Sequence, residues 1–111
     1  MKTSSKKLPV KNENKIVVNK VMKEFTKRFK ISPMQLISHN KNSHISDIRQ
    51  LYCKLRYENH GVTYTETGRE IDRNHTTVRY AVMRMNQLLS ANDKRIVAMW
   101  EGVKDIPGYY F

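Results

Sequence analysis

Apolar residues recur along most of this 111-residue chain at three- and four-residue intervals, the period of a helix buried on one face. Val18, Val21, Met22, Phe25 and Phe29 form the first stripe, in a helix expected from about Glu13. Ser32-Pro33 reads as a cap followed by proline at the first helical position. It opens a short helix with Met34, Leu36 and Ile37 that ends near Ser38. His39 to His44 is polar and aperiodic, a loop. Ser46 or Asp47 is the expected cap of a third helix with Ile48, Leu51, Tyr52 and Leu55 inward, and Gly61 is its stop signal. A short fourth helix, capped by Thr65, runs to Ile71. Asp72-Arg73 connects it tightly to a fifth helix, from Asn74 to about Ser90, whose Val78, Ala81, Val82, Met85, Leu88 and Leu89 share a face. Asn92-Asp93 caps a sixth helix carrying Ile96, Met99, Trp100 and Val103, ended by Pro107-Gly108. No stretch alternates as a strand does, and no repeat is present. The pattern predicts an all-α fold, a compact bundle of about six helices in one domain.

A short helix, a tight turn and a longer helix make a helix-turn-helix. Gly68 lies inside the short helix, where glycine costs ~1 kcal/mol against alanine, so it implies a close approach of two helices. At the start of the longer helix Asn74 is a good N-cap. Arg73, Asn74, His75, Thr76, Thr77 and Tyr80 are left for solvent or a partner. Such short hydrogen-bonding groups beside a cation suit the edges of base pairs. The same residues also suit an ordinary cap and first turn.

Charge narrows the choice of partner. The chain carries a formal net charge of +11 with pI near 10.0, which points to nucleic acid or an anionic surface. Residues 1–30 hold ten Lys/Arg against two Glu, so most of the excess lies in the N-terminal third and little in the helix-turn-helix. The chain divides into a flexible basic arm (1–12), a folded domain (13–106) and an aromatic C-terminal tail (107–111).

Other chemistries find little footing. The single cysteine, Cys53, allows no internal disulfide and falls among apolar positions, as a buried structural thiol does. No apolar run approaches the ~20 residues of a membrane span, and no secretory signal follows the basic N-terminus; the expected location is the cytoplasm. His39, His44, His60 and Cys53 match no zinc spacing. Neither Cys53 with a histidine nor Asp72 with His75 supplies nucleophile, base and orienting group. No enzyme activity, metal or cofactor is expected.

The residues resemble a known family. From about Lys15 to Leu89 the chain is similar to the C-terminal DNA-binding domain of the bacterial replication initiator DnaA. Arg73-Asn74-His75-Thr76-Thr77-Val78 looks like that family's R-D-H-[ST]-T-V signature, with Gly68 upstream as its glycine. Asp47-Ile48-Arg49-Gln50-Leu51 looks like its R-[PQ]-R-Q-hydrophobic helix start, and the loop around Lys41 falls at its basic loop. The resemblance implies a Trp-repressor-like helical domain that binds a short double-stranded DNA box at replication origins. It implies that His75, Thr76 and Thr77 reach base edges in the major groove, that Arg49 and Gln50 contact the duplex, that Lys41 stands where an arginine enters the minor groove, and that Arg73 approaches base or phosphate. Arg49 also reads as a surface ion-pair partner.

The departures are as informative. Asn74 replaces the family's aspartate, keeping the cap but adding a donor. Thr67 takes a position usually aliphatic. The basic loop is poorer, and lysine lacks arginine's fit to a narrow groove. No G-x-x-x-x-G-K-[ST] is present, so no nucleotide site is expected in this chain. The expected function is sequence-specific double-stranded DNA binding in a replication-initiation, regulatory or mobile-element setting. The alternative is a protein–protein adaptor on the same fold.

Overall fold

Each helix begins at a side chain that replaces a missing backbone partner, which is why the elements start where they do. The computed structural model describes residues 17–108. The expected basic arm (1–12), the expected start of the first helix at Glu13 and residues 109–111 of the tail lie outside that range. Helix α1 (Lys20–Phe29) starts after Asn19, whose Oδ1 accepts from the Met22 amide at 2.7 Å. It therefore begins later than the apolar stripe suggested, and Val18 packs on the core from outside it. Helix α2 (Pro33–Ile37) has a reciprocal cap: the Gln35 amide donates to Ser32 Oγ at 3.1 Å, and the Ser32 amide donates to Gln35 Oε1 at 2.8 Å.

Helix α3 (Ser43–Lys54) starts earlier than expected. Asn42, not Ser46 or Asp47, is its cap, and its Oδ1 accepts from the amides of His44 and Ile45. Helix α4 (Tyr64–Ile71) is capped by Thr63 rather than Thr65. Helices α5 (His75–Ser90) and α6 (Lys94–Glu101) are capped by Asn74 and Asp93, as expected. The last helix stops before Pro107; turns follow, and Val103 and Ile106 beyond it are buried. No strand occurs among the described residues.

Helix α3 is the centre, with all five other helices packed on it. Phe25, Leu36, Ile48, Leu51, Tyr52, Leu55, Ile71, Val78, Met85 and Ile96 are fully buried around it. Burying each such side chain contributes about 1.5–3 kcal/mol. A single π-helical turn (Leu55–Asn59) continues α3, its widened ring closed by the His60 amide on the Leu55 carbonyl. Polar groups fasten that end. Glu70 accepts from Tyr52 Oη at 2.6 Å and from Arg56 Nε and Nη2 at 2.9 and 2.8 Å. Arg56 Nη1 donates to His60 Nδ1 at 2.9 Å. Arginine can only donate and a carbonyl can only accept, so the His60 proton sits on Nε2 and bonds the Ile106 carbonyl at 2.8 Å. Burial lowers the His60 pKa and the adjacent Arg56 charge adds to this, against the opposing Ile106 carbonyl and Glu70.

Two predictions follow from these packed groups. Thr67 is fully buried and its hydroxyl has no hydrogen-bond partner among the described residues. Thr67→Val keeps the shape and removes the unmet hydroxyl, so it should stabilise the fold by about 1 kcal/mol. Thermal melting should rise by roughly 4–8 °C; an unchanged or lower midpoint would refute the assignment. His60 makes stability pH-dependent. With a folded pKa below the 6.5 of the free side chain, both states are neutral above that value and stability is full. As pH falls, the unfolded chain takes up the proton that the folded ring resists, and stability declines. Urea denaturation at pH 7.5 and 5.5 should show a loss that His60→Gln reduces; equal losses in both proteins would exclude the histidine.

Candidate nucleic-acid interface

The α4–turn–α5 unit is set by one close backbone contact. Asp72 takes the left-handed conformation at φ 59°, which aspartate tolerates better than most residues. The turn folds back so that the amides of Asp72 and Arg73 both reach the Gly68 carbonyl. A Cβ on Gly68 would lie 2.2 Å from the Arg73 carbonyl oxygen. The expected close approach is therefore real, but between α4 and the turn rather than between two helix bodies.

Beyond the turn, α5 presents its polar start. Asn74 Oδ1 accepts from the Thr77 amide at 2.9 Å, which leaves the carboxamide NH2 to donate elsewhere. Asn74, His75, Thr76 and Thr77 are all exposed. The exposed face continues through Arg79 and Tyr80, three and four residues after Thr76, and Tyr80 is 63% exposed. Tyr80 was expected on this face from the sequence; Arg79 was not named there, although helical spacing from Thr76 already puts it on the same side.

Arg49 and Arg73 are engaged differently from the other candidates. Arg49 is 8% exposed; its Nε donates to the Leu36 carbonyl at 2.7 Å and its Nη2 to the Ser38 carbonyl at 2.8 Å. Arg73 Nη1 donates to the Ile37 carbonyl at 3.0 Å and Nη2 to the Ser38 carbonyl at 2.7 Å. These are the carbonyls that the end of α2 leaves unpaired, where cations are favourable. Burial lowers the pKa of both guanidinium groups, and for Arg49 the charge of Arg73 adds to it. The two arginines thus tie α3 and the helix-turn-helix turn to the end of α2. They fix the origin of the loop that carries exposed Lys41.

Arg49 and Arg73 also line a cleft of about 80 Å³ with Ser46, Gln50, Thr77 and Tyr80, so the starts of α3 and α5 open on one surface. Gln50 is half-buried there, accepting from Arg84 Nη1 at 2.9 Å and donating to Ser46 Oγ at 3.2 Å. Cys53 forms the floor; burial pushes its thiol up to about 12, which makes it a poor nucleophile. Among the described residues no cluster of His, Cys, Asp and Glu is placed to hold a metal, and no helix is long and apolar enough to cross a membrane.

Comparison with family models now adds a second line. The model described as the bacterial dnaA protein helix-turn-helix matches residues 18–85. The chain belongs to this family. The match runs from the approach to α1 into α5 and so includes every candidate contact, while α6 lies beyond it. Comparisons with curated proteins and with solved structures gave no match. Membership in the DnaA helix-turn-helix family implies a DNA-binding domain and, through the family, a link to replication.

The DnaA-like turn yields a test. Gly68→Ala gains ~1 kcal/mol of helix propensity but drives a methyl group into a backbone carbonyl. The clash should win, with a net loss of about 1–3 kcal/mol as in other overpacked sites. Denaturant unfolding measures it; a variant as stable as the parent would show that the turn is not tightly set.

Proposed function

We propose that the protein binds double-stranded DNA sequence-specifically, with the N-terminal half of α5 in the major groove. The observation that carries this reading is the exposed run Asn74–Thr77, continued by Tyr80, at the start of a 16-residue helix inside a DnaA-type helix-turn-helix. His75, Thr76 and Thr77 take base edges: threonine offers a hydroxyl and a methyl that suits thymine, and histidine donates or accepts. Asn74 adds a donor where the family has an acceptor-only aspartate, which alters the base preference at that contact. The free amides and partial positive charge of the helix start favour nearby phosphate.

Gln50 approaches the duplex from α3, and Lys41 from its loop toward the adjacent groove. Arg49 and Arg73 act mainly by holding that loop and the turn in register, since carbonyls of α2 already occupy much of each guanidinium. The exposed lysines of α1, Lys20, Lys23, Lys27 and Lys30, add long-range attraction. The biological setting is replication initiation or a regulatory use of the same recognition, in the compartment that holds the DNA.

Selection from random duplexes should return one motif, bound ~10³-fold or more above bulk DNA at ~0.15 M salt. Thr77→Ala should relax preference at one position of that motif and cost about 1–3 kcal/mol there. Equal binding to all duplexes would reject sequence-specific recognition. An unchanged motif in Thr77→Ala would move base reading off this helix start.

A further inference from the structure

The start of α6 stands beside the start of α3. Arg95 Nη1 donates to Asp47 Oδ2 at 2.8 Å and its Nη2 to His44 Nδ1 at 2.8 Å. Arg84 Nη1, from α5, reaches Asp47 Oδ1 and Gln50 Oε1, both at 2.9 Å. Burial raises the Asp47 carboxyl, yet the bonds from Arg95 and Arg84 overcome it and hold the pKa below the ordinary range. One carboxylate therefore serves two arginines and leaves an excess of positive charge. Lys94 is exposed next to Arg95 and forms no ion pair among the described residues; Lys41 is exposed two residues before α3. Thr77, Tyr80 and Gln50 line one cleft, and hydrogen bonds lead on from Gln50 through Arg84 and Asp47 to Arg95. The helix that supplies Lys94 and Arg95 lies outside the segment shared with the family.

We propose that α6 extends the DNA interface, with Lys94 and Arg95 contacting backbone phosphates beside the site read by α5. The proposal rests on the DNA reading above. Phosphate contacts carry charge but no base information, so α6 lengthens the footprint and strengthens binding without changing the motif.

The test is the salt dependence of binding to the selected duplex. Each phosphate contact contributes about 0.9 to the slope of log K against log salt. Lys94→Ala/Arg95→Ala should lower the slope by about 1–2 and weaken all duplexes by a similar factor, with the selected motif unchanged. Lys94→Ala alone, which breaks no described ion pair, should lower it by about 0.9 and guards against a folding defect in the double variant. Lys104→Ala, in the turn beyond the far end of the same helix and paired with Glu101, is the control and should leave the slope intact. Parent slopes in both Lys94 variants, with the motif still bound, would overturn the role of α6 and leave α5 as the reader. An equal fall in Lys104→Ala would also overturn it, by reducing the effect to net charge. Absence of a motif in the parent protein would overturn the DNA reading itself.

Discussion

The Ser38 carbonyl accepts from two guanidinium groups, one carried by α3 and one by the turn between α4 and α5. Helix α2 is only five residues long and leaves its last carbonyls unpaired, so it creates the need that both arginines meet. The consequence is geometric. The loop that carries Lys41 leaves from Ser38, α3 carries Gln50, and the turn launches α5. One carbonyl thus relates the three segments that present polar groups to the candidate DNA surface. Removing either arginine would leave buried acceptors unmet, which costs more than the net gain of making the bond.

Behind that contact the core is conventional helix packing around α3, but it is closed by charged groups. Glu70, Arg56 and His60 join the π-helical turn to α4 and to the segment after α6. Lys54 lies under Trp100, 4.9 Å from the ring centre, and bonds Asn86 Oδ1 at 2.6 Å and the Glu58 carboxylate. Each of these cations has several partners, which is what burial of a charge requires. They fasten the π-helical turn and the end of α3 to α4, α5, α6 and the segment after α6. At the start of α5, Asn74, His75, Thr76 and Thr77 are left exposed.

The distribution of charge fits a division of labour. In the proposed function the exposed α1 lysines attract DNA without selecting a sequence, and the short polar groups of α5 select with little net charge of their own. At the starts of α3 and α6 two arginines share the single Asp47 carboxylate that holds them. Arg28 joins α1 to the other end of α6, through the Gly102 carbonyl and Asp105.

Local chemistry made much of this legible in the sequence. The order and number of helices, the caps Ser32, Asn74 and Asp93, and the exposed start of α5 follow from spacing and from side chains that serve their own backbone. The cap positions of α3 and α4 were misplaced because Asn42 and Ser46, or Thr63 and Thr65, are equally good caps in isolation, and packing chooses between them. The π-helical turn left no trace in the pattern, since its bonds are backbone to backbone. Long-range partners were also invisible. The family resemblance implied DNA contacts for Arg49 and Arg73, but their bonds to the carbonyls at the end of α2 could not be read from it, because those carbonyls lie 11 to 36 residues away. Asp47 read as a cap because the arginines that bury it lie 37 and 48 residues away. The sequence by itself determined which segments are helical and which helix start is polar. Only the tertiary structure decided which cations are spent inside the protein and which remain for a partner, because that depends on the carbonyls and carboxylates that folding brings within reach.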